Sequence, residues 1–160
     1  MEALLAIAAA IEGSAYGEWA RGSAYAYPVA NLLHLLGLVL LVGGIGIVDL
    51  RLAGLFPRIP AAPLSRALTP LAIAGLILMA ASGSVLFAAD AVPLAGSTIF
   101  RWKLALIAVA LANALAFRLL WRTRIAGWES DPPMIGRVMA AGSVLLWLCV
   151  GSLGRLIAYY

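Results

Sequence analysis

The chain has 160 residues, of which 64% are hydrophobic and only 11% are charged. A soluble domain carries about 25% charged residues, so this chain lacks the polar material that would coat a water-facing surface. The net charge of +4 does not indicate a nucleic-acid partner, because the basic residues lie mainly between long apolar runs, as membrane topology requires. The length suits one membrane domain over residues 1–160.

The first predicted element is a short helix over residues 3–20. Leu4, Ile7 and Ile11 share one face of this helix, and acidic residues follow them. The apolar run is too short to cross the bilayer, and Glu2 stands where a secretory signal would carry positive charge. We therefore expect an amphipathic helix that lies in the membrane interface.

Four longer apolar runs follow, and each is close to the ~20 residues that cross the hydrocarbon core. They cover residues 29–48, 71–89, 104–120 and 138–158. Pro28 and Pro70 lie at or near helix starts, where a missing backbone N–H costs least. Pro57, Pro60 and Pro63 predict that the first loop is not helical. The predicted fold class is all-α, a polytopic membrane protein with a four-helix bundle.

The basic residues are divided unevenly between the two sides of this bundle. Seven lie in or beside the first and third loops: Arg51, Arg58, Arg66, Arg118, Arg122, Arg124 and Arg137. Four lie on the opposite side: Arg21, Arg101, Lys103 and Arg155. Since loops rich in Lys and Arg stay in the cytoplasm, we expect a multi-pass protein of the bacterial inner membrane with both termini on the outer side.

Polar side chains near the inner end and the middle of the bundle predict a structural network. Asp49, which is followed by Arg51 at the helix boundary, is expected to pair with an arginine of another helix. The candidates are Arg118, Arg122 and Arg137. A proton or ion site at Asp49 is the alternative. Asn113 lies in the middle of the third helix and is expected to donate an interhelical hydrogen bond.

A second polar group is predicted near the outer face. His34 lies about six residues inside the boundary, or roughly 9 Å deep, and Arg155 lies roughly 6 Å deep. Lys103 begins the third helix on the same side. Residues at helical spacing form one stripe on the first helix that should face the bundle: Asn31, His34, Leu38, Leu41, Ile45 and Val48. An imidazole, a guanidinium and an ammonium are thus expected in one layer.

This layer suggests a haem b site. His34 would be the axial ligand, Arg155 and Lys103, or Arg101, would pair with the propionates, and Met79 would be a weak second ligand. A second His34 from another protomer is the other option for that ligand. Asn31, on the stripe of His34, and Trp147, on a stripe with Gly151 and Gly154 that leads to Arg155, complete the candidate cofactor residues. Against haem stand the absence of a bis-histidine pair and the common role of a lone membrane histidine as a hydrogen-bonding linker. Proton transfer is the third possible role of His34.

Several segments also resemble an uncharacterised bacterial family of small four-helix integral membrane proteins. The matching residues are Tyr27-Pro28, Asn31, His34 and Gly37, then Asp49-Leu50-Arg51-Leu52 and Gly54, and later Phe87, Phe100, Lys103, Asn113, Trp147 and Gly154-Arg155. The resemblance covers nearly the whole chain. It implies a four-helix topology and a set of signature positions, and it implies no function.

Signatures of soluble enzymes are missing from the sequence, and its loops are too short for a catalytic domain. The leading hypothesis is therefore a non-catalytic or electron-transfer membrane subunit that binds haem b at His34. Its expected partners are the lipid bilayer, further copies of the chain, and a redox partner in the membrane or periplasm. The alternative is a structural or transport-related membrane protein whose buried polar residues brace helices or relay protons. Transport of a small molecule or metal would depend on Asp49 or Asn113.

Overall fold

A computed structural model describes residues 2–121, 125–128 and 133–159. Within these ranges every regular element is helical, which confirms the all-α prediction. The α-helices are α1 (Glu2–Glu12), α2 (Ala15–Gly22), α3 (Ala26–Ala53), α4 (Ala61–Ala89), α5 (Ala91–Gly96), α6 (Thr98–Trp121) and α7 (Met134–Leu156). Short 3-10 turns cover Ile125–Gly127 and Ile157–Tyr159.

Helices α3, α4, α6 and α7 are each long and apolar enough to cross a membrane, which confirms the predicted four-helix membrane bundle. Large apolar side chains project from their outer faces. Leu32 is 67% exposed, Leu119 73% and Leu145 63%. Exposed apolar surface on this scale is unfavourable in water and is the expected surface of helices surrounded by lipid.

The four membrane helices pack in the order α4, α3, α7, α6. Helix α3 packs against α4 and α7, and α6 packs against α7. Helices α4 and α6 make at most marginal contact with each other in the described residues. In the described residues, this side of the bundle is the one where neighbouring membrane helices pack least closely, and at one end of it the turn Ile125–Gly127 contacts α4.

The closest approach in the bundle lies between α3 and α4 at Gly37 and Gly75. A Cβ atom added to Gly37 would lie 2.7 Å from Cγ of Met79 and 2.9 Å from the carbonyl oxygen of Gly75. A Cβ atom added to Gly75 would lie 2.6 Å from the carbonyl oxygen of Gly37. The two backbones touch because neither residue has a side chain, as is common where membrane helices cross.

Helix α4 begins at Ala61, about ten residues before the apolar run that predicted it. The prediction of a non-helical segment up to Pro63 and of a helix start near Pro70 is therefore wrong. Pro63 fits in the first turn, where its missing N–H has no partner to lose. Pro70 lies inside the helix and removes the amide that would bond the carbonyl of Arg66.

The loop between α3 and α4, residues 54–60, is held by Arg51. This side chain is only 5% exposed. Its Nε donates to the carbonyl of Ile59, and a terminal nitrogen donates to the carbonyl of Pro57 at 3.3 Å. Two carbonyls of a turn are thus satisfied by one buried guanidinium, which fixes the short connection at the inner end.

The predicted interfacial segment consists of two helices, and with α5 it covers the outer end of the bundle. We call α1, α2 and α5 the outer cap. Ser14 separates the first two helices, and its Oγ accepts from the amide of Gly17 at 3.3 Å. Glu12 accepts from the amide of Val92 at the start of α5 at 2.7 Å. Arg21 donates to the carbonyl of Glu12 at 2.7 Å and to that of Ala89 at 3.2 Å, which ties α2 to both neighbours.

The crossing of α3 and α4 gives a test of the fold. Gly75→Ala places a methyl group against the backbone of α3, and we expect it to lower the free energy of unfolding in detergent by about 1–3 kcal/mol. Gly43→Ala on α3 is the matched control, because no atom lies within 4 Å of its added Cβ. Equal stability of the two variants would contradict the close approach.

Candidate functional site

A cavity large enough to bind a small molecule lies in the inner half of the bundle. A cavity of about 740 Å³ is bordered by all four membrane helices, and we call it the inner cleft. Its polar lining consists of Asp49, Ser65, Arg66, Thr69, Asn113, Arg118 and Ser143. The volume falls within the ~300–1,000 Å³ of small-molecule sites in proteins. Helices α4 and α6 form two of its walls and make little contact with each other in the described residues.

Asp49 is the acidic residue of the inner cleft. Its side chain is 6% exposed, and Oδ2 has no hydrogen-bond partner. Ser143 of α7 lies beside the carboxyl group. A buried carboxylate oxygen without a partner is costly, since its hydration is lost and not replaced. Oδ2 itself is sealed, whereas Asp49 as a residue lines the cavity, so its carboxyl group is the acidic group that a ligand in the cleft would meet.

The predicted ion pair of Asp49 is wrong for the described arginines. Asp49 forms no ion pair with Arg118 or Arg137 in the part of the chain that the structure describes. Arg137 packs over Gly54, 3.3 Å from the position of an added Cβ, and Arg118 is exposed at the edge of the inner cleft. The third candidate, Arg122, lies outside the described residues.

Asn113 behaves as predicted. Its Nδ2 donates to the carbonyl oxygen of Met139 at 3.1 Å and so joins α6 to α7. The same residue lines the inner cleft. On the opposite wall, the hydroxyls of Ser65 and Thr69 lie 3.3 Å apart. The cleft therefore has hydrogen-bonding groups on two facing helices.

Arg66 and Arg118 stand on either side of the opening, one on α4 and one on α6. Arg66 lies five residues after the start of α4 and Arg118 three residues before the end of α6. Asp49 lies four residues before the end of α3. At 1.5 Å per residue, all three are within about 5–8 Å of the inner helix ends. The charged groups thus share one layer at the inner end of the cleft.

The deeper part of the inner cleft is apolar. Leu41, Leu76, Leu111 and Trp147 line it toward the middle of the membrane. Trp147 is 5% exposed and belongs to the main hydrophobic core, so it forms a fixed wall. A charged layer above an apolar chamber is complementary to an amphiphile, a molecule with a polar head and a hydrocarbon tail.

The outer polar residues form a separate arrangement, centred on His34. Nδ1 of His34 lies 3.0 Å from Oγ of Ser82, and that hydroxyl donates to the carbonyl of Leu78 at 2.6 Å. Since the single hydroxyl hydrogen is used, Nδ1–H of the imidazole is assigned as the donor to Ser82. In the neutral ring Nε2 then carries the free lone pair.

The other predicted members of the outer layer, Lys103 and Arg155, make different contacts. Lys103 is half-buried against α7, with Nζ 3.1 Å from an added Cβ at Gly154, and lies within electrostatic range of His34. Arg155 is exposed and donates to the hydroxyl of Tyr159 at 2.7 Å. His34 and Lys103 are therefore close enough to interact electrostatically, while the guanidinium of Arg155 binds Tyr159.

The side chains of two further candidates, Asn31 and Met79, form no hydrogen bond with His34 in the described structure, although the backbone carbonyl of Met79 lies 3.4 Å from Oγ of Ser82. Asn31 is exposed near the outer end of α3, so the predicted stripe faces the bundle only from His34 inward. Met79 packs over Gly37 and joins the hydrophobic core. In the described residues no three His, Cys, Asp or Glu side chains gather closely enough to hold a metal ion.

Sequence reasoning missed Arg66, Thr69 and Ser143 as members of one site. Arg66 and Thr69 fell in a segment taken for loop, although their spacing of three residues is that of one helix face. Ser143 gave no signal of its own, since serine is common in membrane helices. The separation of α4 from α6 is a tertiary feature and has no signature in the chain.

Comparison of the chain with family models, with curated proteins and with solved structures finds no match. The class defined by the fold is that of a four-helix integral membrane protein. The resemblance to a bacterial membrane family stays a prediction.

Thermal unfolding of variants tests whether Asp49 holds the helices together. If Asp49 braces the helices, Asp49→Asn should destabilise the protein, whereas an unpartnered carboxylate predicts equal or greater stability because a buried charge is removed. We expect the second result in thermal unfolding in detergent. Asn113→Ala is the matched comparison, because it deletes a hydrogen bond and should cost about 0.5–1.5 kcal/mol. Destabilisation of Asp49→Asn beyond that of Asn113→Ala would contradict the binding interpretation.

Proposed function

We propose that this protein binds a membrane-resident amphiphile in the inner cleft and acts as a non-catalytic binding or carrier protein of the bilayer. The observation that carries the proposal is the buried carboxyl group of Asp49, one oxygen of which has no hydrogen-bond partner, in the wall of a cavity bordered by all four membrane helices. A polar group held at this cost without a structural partner is typical of functional sites in membranes.

The route of entry supports an amphiphile over a water-soluble ligand. A molecule already in the inner leaflet reaches the inner cleft laterally, between α4 and α6, without leaving the membrane. Its polar head stays at the level of Arg66 and Arg118, and its tail remains in apolar surroundings throughout. The energetic cost of moving it is then limited to exchanging lipid contacts for protein contacts.

The proposed orientation follows from the same residues. The inner end of the bundle carries Arg51, Arg58, Arg66 and Arg118. This positive charge favours a cytoplasmic location, with both termini on the outer side of a bacterial inner membrane. The inner cleft then belongs to the cytoplasmic leaflet.

Filling the cleft tests the proposal. Ala114 of α6 lines the inner cleft, and Ala114→Trp should occupy part of its volume. We expect mass spectrometry of the protein purified in mild detergent to find retained amphiphile in the wild type and a severalfold loss in this variant.

The matched control is Ala112→Trp, at an exposed position two residues away that does not line the cleft. It should retain amphiphile at the wild-type level. Wild-type protein without any retained amphiphile, or equal retention in both variants, would refute the proposal.

A second candidate function, haem b binding at the outer side, has one specific observation in its favour. The assigned Nδ1–H donor of His34 is fixed by Ser82, and protein histidines that ligate a metal through Nε2 are oriented in this way. Lys103 is the nearby cation for a propionate. Electron transfer to a membrane or periplasmic partner would be the corresponding role.

An absorption spectrum separates this candidate from the first. Protein expressed with ample haem should show a Soret band if haem binds, and His34→Ala should abolish that band. Asp49→Asn should leave the band unchanged, because Asp49 lies at the opposite end of α3. Colourless wild-type protein would contradict haem binding and would leave the inner cleft unaffected.

A further inference from the structure

The charges that border the inner cleft are of both signs, and their arrangement narrows the class of ligand. Asp49 is the acidic residue and Arg66 and Arg118 are the basic residues among the side chains that line it. The two arginines are exposed at the opening, while Asp49 is buried. A ligand that fits all three carries an anionic group near the opening and a hydrogen-bond donor farther in.

A phosphate is the anionic group of a ligand that suits the two arginines. Arg66 and Arg118 project from the two walls that flank the lateral opening, and neither forms an ion pair with a described acidic residue. Guanidinium groups bind phosphate oxygens through paired N–H donors, which suits a phosphodiester held between two helices. The apolar chamber bordered by Leu76 and Leu111 continues from this point, as the acyl chains of a phospholipid would require.

The donor is a primary ammonium. The carboxylate of Asp49, which lines the cleft, accepts hydrogen bonds and favours positive charge, so an ammonium satisfies both properties. A quaternary ammonium has charge but no N–H to donate to this carboxylate. A glycerol headgroup can donate O–H but leaves the lipid with a net negative charge beside a carboxylate.

From this arrangement we infer that the inner cleft selects a zwitterionic phospholipid with a primary ammonium headgroup, as in phosphatidylethanolamine. The ammonium binds Asp49 and the phosphate lies between Arg66 and Arg118. This inference rests on the proposed function, since it names the class of amphiphile that the same cleft takes.

The experiment is native mass spectrometry of the full chain in mixed micelles that contain equal amounts of phosphatidylethanolamine, phosphatidylglycerol and phosphatidylcholine. We expect the ethanolamine lipid to be retained roughly tenfold over each of the others, the ratio given by one hydrogen bond to a charged group. Wild-type protein that binds lipid without this preference overturns the inference and leaves the proposed function standing. Wild-type protein that retains no lipid at all overturns the proposed function itself.

Variants assign the two contacts separately. Asp49→Asn should keep lipid bound but lose the preference for ethanolamine over glycerol headgroups. The double variant Arg66→Gln and Arg118→Gln should lower retention of all three lipids about tenfold. Arg58→Gln, at an exposed position of the loop between α3 and α4, is the charge-matched control and should behave as the wild type.

A folding criterion ensures that a loss of lipid binding is not caused by misfolding of a variant. Each is accepted for comparison only if its circular dichroism and its elution in detergent match those of the wild type. An ethanolamine preference that persists in a folded Asp49→Asn protein overturns the assignment of the ammonium to Asp49. Unchanged retention in the folded double variant overturns the assignment of the phosphate.

Discussion

The backbone contact between α3 and α4 at Gly37 and Gly75 is the constraint on which the remaining architecture depends. Helix α4 packs against α3 along much of the length of α4. The short loop held by Arg51 keeps the inner ends of the two helices together. Helix α4 then has little surface left for α6, which packs against α7 instead. The inner cleft is the space left by these two pairings, so a contact made for helix association also creates the candidate site.

The polar residues of the bundle divide into those that hold it together and those that do not. Asn113 and Arg51 donate to backbone carbonyls, and each links segments that would otherwise be free to separate. Asp49 differs from them, because one of its buried oxygens, Oδ2, has no hydrogen-bond partner, although Ser143 of α7 lies beside the carboxyl group. An unsatisfied polar atom in a residue that lines a cavity is what selection for binding, in place of selection for stability, is expected to retain.

Hydropathy was sufficient to predict the four membrane helices, because lipid imposes its requirement on each helix separately. Sequence patterns did not predict the features that depend on contacts between helices. The start of α4 was missed because Pro63 fits the first turn of the helix and Pro70 is accommodated in its interior, although both residues commonly mark a loop or a helix start. The partner of Asp49 was predicted from charge alone, and the side chain of Arg137 packs elsewhere. Asn31 was placed in the bundle by its helical spacing from His34, whereas the buried residues at this end of α3 are Ala26 and Ala30.

The crossing at Gly37 and Gly75 also makes the geometry of the opening sensitive to helix tilt. The outer end of α4 is tied to the outer cap through the hydrogen bond from Arg21 to Ala89. Arg66 lies nine residues inward of Gly75, roughly 13 Å along the axis. A rotation of α4 by about 10° around the crossing would therefore move Arg66 by about 2 Å relative to α6. Membrane helices change their tilt with bilayer thickness, so the thickness of the surrounding membrane becomes a variable that sets how wide the opening is.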